Sequence, residues 1–167
     1  MIEQEFVAYS ADKLEQLAGR IQDCLGKLTE EQIWTRNTDN ENAVGNLVLH
    51  LAGNVRQWIC HGVGGQNDVR NRDSEFAART SSDAGERLRT TIADAIAVIR
   101  NLGPDDLTAK TTVQGFNITK ALAIYHVVEH FAGHTGQIIF ATKLLTGKDL
   151  GYYNYLKVSA PAATDIP

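Results

Sequence analysis

Apolar residues recur at three- and four-residue spacings through four long stretches of the chain, and no region sustains the alternation of a well-formed sheet. The first stretch covers residues 2–28, where Phe6, Leu14, Leu17, Ile21, Leu25 and Leu28 make one stripe. The short segment TEEQIW follows, with Thr29 and Gln32 placed as a capping box that predicts one or two further turns. A second helix is predicted over 43–61 and is stopped by Gly62, Gly64 and Gly65. A polar connection, 62–81, is long enough to return the chain along a whole bundle. Ser81 or Ser82 then caps a third helix over 83–101 with Leu88, Ile92, Ile96 and Ile99 on its apolar face, ended by Gly103 and Pro104. Residues 110–114 read as a short extended piece, and the fourth helix begins after Asn117 and runs to Leu145, before Gly147. These elements predict an all-α four-helix bundle with a long crossover between helices 2 and 3. Residues 1–158 form the bundle domain, Tyr152, Tyr153 and Tyr155 dock its tail, and 159–167 are expected to be flexible.

Composition changes this picture little. With 167 residues, 43% hydrophobic and 22% charged, the chain has enough apolar material for one core. A net charge of -4 gives no basic field for a phosphate backbone, so nucleic acid is not an expected partner. Arg70, Arg72 and Arg79 are interleaved with Asp68, Asp73 and Glu75, which reads as a solvated loop. The N-terminus lacks a secretory pattern and no apolar run would span a membrane, so a cytoplasmic location without membrane attachment is expected. Cys24 and Cys60 are isolated thiols in apolar helical patterns and read as small core residues.

The distinctive chemistry lies in the histidines. Three of only five, His126, His130 and His134, fall four apart in the fourth helix and therefore near one face. Neighbouring imidazoles at that spacing can share a metal ion, and a usable site needs a third ligand from another element. His50, midway along the apolar second helix, is the candidate, with Asn46 and Asn54 one turn to either side continuing a polar line. A lone buried histidine is more often a hydrogen-bonded core residue than a ligand; three more on a facing stripe reverse that reading. Three imidazoles around a divalent ion leave a position open, as in catalytic zinc sites, and imidazole serves zinc, nickel, iron and copper alike. Spacing alone permits either His126 with His130 or His130 with His134 as the pair. Gln137 lies two turns beyond His130, where it can orient a ligand or a water. His61, at a helix end beside glycines, reads as a solvated or helix-terminal residue.

The segments NLVLHLAGN and HVVEHFAGHTGQI, the latter continuing IFATKLLTG, resemble the DinB/YfiT-like family, and the resemblance extends over essentially the whole chain through helix order and crossover. It implies a four-helix metalloenzyme whose ligands are one histidine of the second helix and two, four apart, of the last. By motif these are His50, His130 and His134, which places His126 outside the ligand set, facing substrate or supporting a ligand. The family also implies a homodimer, and it includes thiol-dependent transferases and isomerases that use bacillithiol, mycothiol or glutathione.

Other chemistries fit less well. Phe131, not glutamate, follows the first histidine of the His130/His134 pair, so the zinc-peptidase order H-E-x-x-H is absent; Glu129 precedes His130 and points elsewhere on the helix. The expected function is a metal-dependent thiol S-transferase acting on a small electrophile, with zinc or nickel ahead of iron or manganese. The alternatives are a metal-binding stress-response bundle without turnover and a metal-dependent hydrolase of a small ester or lactone.

Overall fold

The structure is a computed structural model that describes residues 2–154. Its four long helices are α1 (Ile2–Leu25), α3 (Val44–Val55), α5 (Ala84–Arg100) and α6 (Lys120–Thr146). They form a ring in which α1 and α3 each pack against both α5 and α6. The all-α reading of the sequence holds. Leu14, Ile21, Leu51, Leu88, Ile124, Phe131 and Ile138 fill the interior and are fully buried.

Local details bear out the predicted outline in one place and extend it in two. The short helix α2 (Glu30–Trp34) carries the predicted capping box: Thr29 Oγ1 accepts from Gln32 N at 3.2 Å and Gln32 Oε1 from Thr29 N at 2.9 Å. The second long helix does not end at His61 but widens into a π-helical segment, Arg56–Val63. The piece expected over 110–114 is strand β1 (Lys110–Val113), paired antiparallel with β2 (Phe116–Thr119), so α6 starts only at Lys120. Gln114 and Gly115, both at positive φ, make the turn of this hairpin. At the far end of α6, Gly147 takes the left-handed conformation (φ 67) and its N–H closes the helix on Lys143 O at 2.9 Å.

The crossover is not the solvated loop that its alternating charges suggested. Residues 72–77 form helix α4 (Arg72–Ala77), capped by Asn71, and it packs on the outer face of α3. That cover explains why α3 is buried at every position except Gly53. Asn46 fastens it: its Nδ2 donates to Glu75 O at 2.9 Å and Ala78 O at 3.0 Å, and its Oδ1 accepts from Arg36 Nη2 at 2.6 Å. Tyr152 docks the tail on α1 within hydrogen-bond reach of Asp23 Oδ2 (2.9 Å), whereas Tyr155 and the expected flexible segment 159–167 lie outside the described residues. Cys24 and Cys60 are buried free thiols, as their pattern indicated.

Candidate metal centre

Helices α3 and α6 run antiparallel, and their polar stripes meet. His50 stands opposite His130 and His134, and one ring nitrogen from each of the three can be chosen so that all lie within 4.8 Å of one another. The His50 and His130 Nε2 atoms approach to 2.9 Å. Two nitrogens each about 2.1 Å from a tetrahedral ion would lie about 3.4 Å apart, so the cluster needs only small side-chain shifts to close on one. His50 is buried, while His130 and His134 are half-buried, which leaves the outer side of the cluster open.

The protonation of the cluster favours metal over protons. Burial, with His134 and His50 alongside, pushes His130 down to about 4; burial also lowers His134, against the opposing hydrogen bond from Gln137. At neutral pH the α6 imidazoles therefore present lone pairs without first releasing a proton. His134 Nδ1 lies 2.7 Å from Gln137 Oε1, an acceptor, so Nδ1 carries the hydrogen and Nε2 is free to ligate.

His50 is oriented by residues that the sequence reading placed in solvent. Glu75 Oε2 stands 3.1 Å from His50 Nδ1, and Arg70 grips the same carboxylate with Nε to Oε1 and Nη2 to Oε2, both at 2.8 Å. Arg70 Nη2 also lies 3.1 Å from His50 Nδ1. Because the carboxylate can only accept, Nδ1–H and the guanidinium are two donors sharing one oxygen, and His50 turns its Nε2 lone pair to the cluster. Burial alone would raise the Glu75 carboxyl, but hydrogen bonds from Arg70 and His50 outweigh it and hold the group below the usual range. A carboxylate behind a ligating histidine fixes its tautomer and raises its basicity. Arg70 continues the chain outward, with Nη1 donating to Gln57 Oε1 at 3.0 Å, an atom that also accepts from Gln114 Nε2 of the hairpin turn at 2.6 Å.

One sequence signal could have found this arrangement. Gly53 sits one turn from His50 inside an otherwise apolar helix, and a Cβ there would come within 1.9 Å of Glu75 Oε1. The glycine is the space that the carboxylate occupies. The remaining candidates divide. His126 stacks on His130 at 5.7 Å between ring centroids and packs on Trp58 at 4.3 Å, outside the three-nitrogen group. Asn54 is buried on the same line of α3, and its Oδ1 has no hydrogen-bond partner. Asn46 is committed to the crossover backbone, Glu129 is exposed, and His61 Nδ1 reaches Gln66 O at 2.6 Å at the end of the π-helical segment.

The four-helix bundle, with a three-histidine group that could hold a metal ion between its second and last long helices, shares its fold with DinB-like proteins. The chain belongs to the family described as a protein of unknown function, DUF1572, whose model matches residues 1–159. Among solved structures it is similar to a conserved protein from Enterococcus faecalis (TM-score 0.71, 14% identity, covering 83% of this chain and 96% of that one). It is also similar to a DinB-like protein from Bacillus cereus (TM-score 0.59, 13% identity, 94% and 92% covered). A third, the DinB-like protein YjoA from Bacillus subtilis, superposes with TM-score 0.61 at 15% identity over 92% and 98% of the two chains. At those identities the likeness is one of fold. A comparison with curated proteins finds no match. Among the described residues no helix is long and apolar enough to cross a membrane.

Proposed function

We propose that this protein is a metal-dependent transferase in which His50, His130 and His134 hold one divalent ion, zinc or nickel ahead of iron or manganese, and a small cellular thiol is the nucleophile. The carrying observation is the convergence of ring nitrogens of His50, His130 and His134 on one point, with the two α6 imidazoles half-buried and uncharged at neutral pH. A divalent ion held there would lower the pKa of a thiol or a water at its open position. The choice between those nucleophiles rests on the chain's own groups. Glu75 stands behind His50, on Nδ1 across the ring from the Nε2 that faces the cluster, and its carboxylate is engaged by Arg70 and His50, so it is not placed to take a proton from substrate. A thiol, with an ordinary pKa of about 8.5, needs far less help to ionise than water at 15.7, so a site without a free base suits thiol transfer better than hydrolysis. In the transfer the S–H proton passes to solvent, the sulfur pair forms the new S–C bond, and the leaving group departs with the electrons of the broken bond. His126, stacked between His130 and Trp58, would line the approach.

The test is conjugation of glutathione, or of the bacterial thiols bacillithiol and mycothiol, to a small electrophile such as a chloronitroarene. Metal-dependent turnover that disappears in His130→Ala is expected. A metal-loaded protein inert with every thiol would leave a metal-binding bundle without transferase chemistry.

The outer face of α6 supports a homodimer. Leu122 (54% exposed), Tyr125 (63%), Phe140 (64%) and Leu144 (70%) line it, with Glu129, Ala132, Gly133 and Gly136 between them. Leu122 and Leu144 stand equally far before and after Gly133, and Tyr125 and Phe140 nearly so. An antiparallel second α6 would set each against its counterpart across the small residues, the self-complementarity a two-fold interface requires. Light scattering should return twice the chain mass and Phe140→Glu the monomer; a monomeric wild type would refute the arrangement.

A further inference from the structure

The Arg70–Glu75 pair has two sides. One faces His50; the other forms part of the wall of a separate cavity of about 630 Å³ between α3, the crossover and α5, to which none of the three cluster histidines contributes. The cavity is within the size range of small-molecule sites. Its charges are unevenly committed. Arg70 and Glu75 bind each other, Glu86 is turned to Arg89 (Nε to Oε2, 2.9 Å), and Asp83 takes the Ser81 hydroxyl at 2.5 Å. Arg56, from the start of the π-helical segment, and Arg87, from the first turn of α5, both line the cavity from facing elements, and neither has an ion pair among the described residues. Thr91 adds a hydroxyl to the same walls, as do Ser74 and Thr90, whose own protons are turned to Asn71 O (2.8 Å) and Glu86 Oε1 (3.4 Å). The outcome is a recess with two unmatched guanidiniums against one carboxylate, Asp83, that is not bound to a cation, in a chain whose net charge is -4.

We infer that this cavity binds a small organic molecule carrying a carboxylate or phosphate group, received by Arg56 and Arg87 as a pair. Planar guanidiniums match the oxygens of either anion in a bidentate fork, and hydroxyls on the remaining walls suit a compact polar body better than an apolar one. The site is distinct from the histidine cluster and does not depend on whether that cluster turns over. Because Glu75 separates the two, an occupant resting on Arg70 would also be felt at His50.

Calorimetric titration of the purified protein with inorganic phosphate and with succinate, at an ionic strength held constant with sodium chloride, tests it. Saturable binding of at least one anion is expected, weakened by about tenfold or more in Arg87→Gln and in Arg56→Gln, the worth of one charge-assisted hydrogen bond. Both variants should melt as the wild type does in anion-free buffer, since Arg87 is exposed and Arg56 only half-buried. Backbone amide shifts should centre on Ser74, Thr90 and Thr91. The idea fails if neither anion saturates, or if both arginine variants bind like wild type. It fails equally if binding is lost in His130→Ala, which would place the anion at the histidine cluster.

Discussion

Protein purified without a histidine tag or chelator is expected to carry close to one divalent ion per chain, and His50→Ala and His134→Ala to carry essentially none. Three nitrogens converge and no fourth protein ligand joins them among the described residues, so losing one leaves two and removes most of the chelation. The fall in affinity should exceed the 10- to 100-fold that loss of an outer supporting partner typically costs. His134 is half-buried and bonded only to Gln137 on its own helix, so its alanine variant should fold normally, which separates metal loss from unfolding. Elemental analysis with a thermal melt reads both quantities. Wild-type protein that is metal-free and cannot be reconstituted with zinc, nickel, iron or manganese would reduce the cluster to a polar network in the core.

Glu75→Ala should be the most destabilising single change at the site. It strands the Arg70 guanidinium, whose side chain is only 4% exposed, and removes the acceptor for His50 Nδ1. Breaking a buried pair by deleting one partner costs about 3–5 kcal/mol. At roughly 2–4 °C per kcal/mol for a chain of this size, the melting temperature should drop by about 6–20 °C. Glu75→Gln keeps the shape but not the charge and should weaken metal binding by about 10- to 100-fold. Gly53→Ala should behave as a milder Glu75 variant, because its methyl group would occupy the place of Oε1. A Glu75→Ala protein that melts at the wild-type temperature and holds metal as tightly would show that the Arg70–Glu75 pair supports nothing.

The legible part of this molecule was what repeats. The stripe of Leu14, Leu17 and Ile21 and the face of Leu88, Ile92 and Ile96 announce helices because burial recurs once per turn, and the four-residue histidine spacing announced the cluster for the same reason. Glu75 and Arg70 were illegible because nothing local marks a carboxylate for burial. Its burial depends on a glycine 22 positions earlier and on a guanidinium that cancels its charge. Asn71 before Arg72 was a helix signal within the crossover, outweighed in the sequence by the density of charge. The hairpin escaped because Gln-Gly is a weaker turn sequence than Asn-Gly, although both residues adopt positive φ. The π-helical widening after Val55 leaves no trace in spacing over so few residues.

His50 and His130 are separated by 80 positions, with the crossover, α5 and the hairpin between them. An ion shared by them is therefore a cross-link of high contact order, available only after α3 and α6 have docked. Such a bond cannot guide the early collapse of the chain; it acts on the way out, as an interaction that must break before the two helices part. Metal should accordingly leave the folding rate almost unchanged and slow unfolding, so the loaded protein gains its lifetime from the height of the exit barrier.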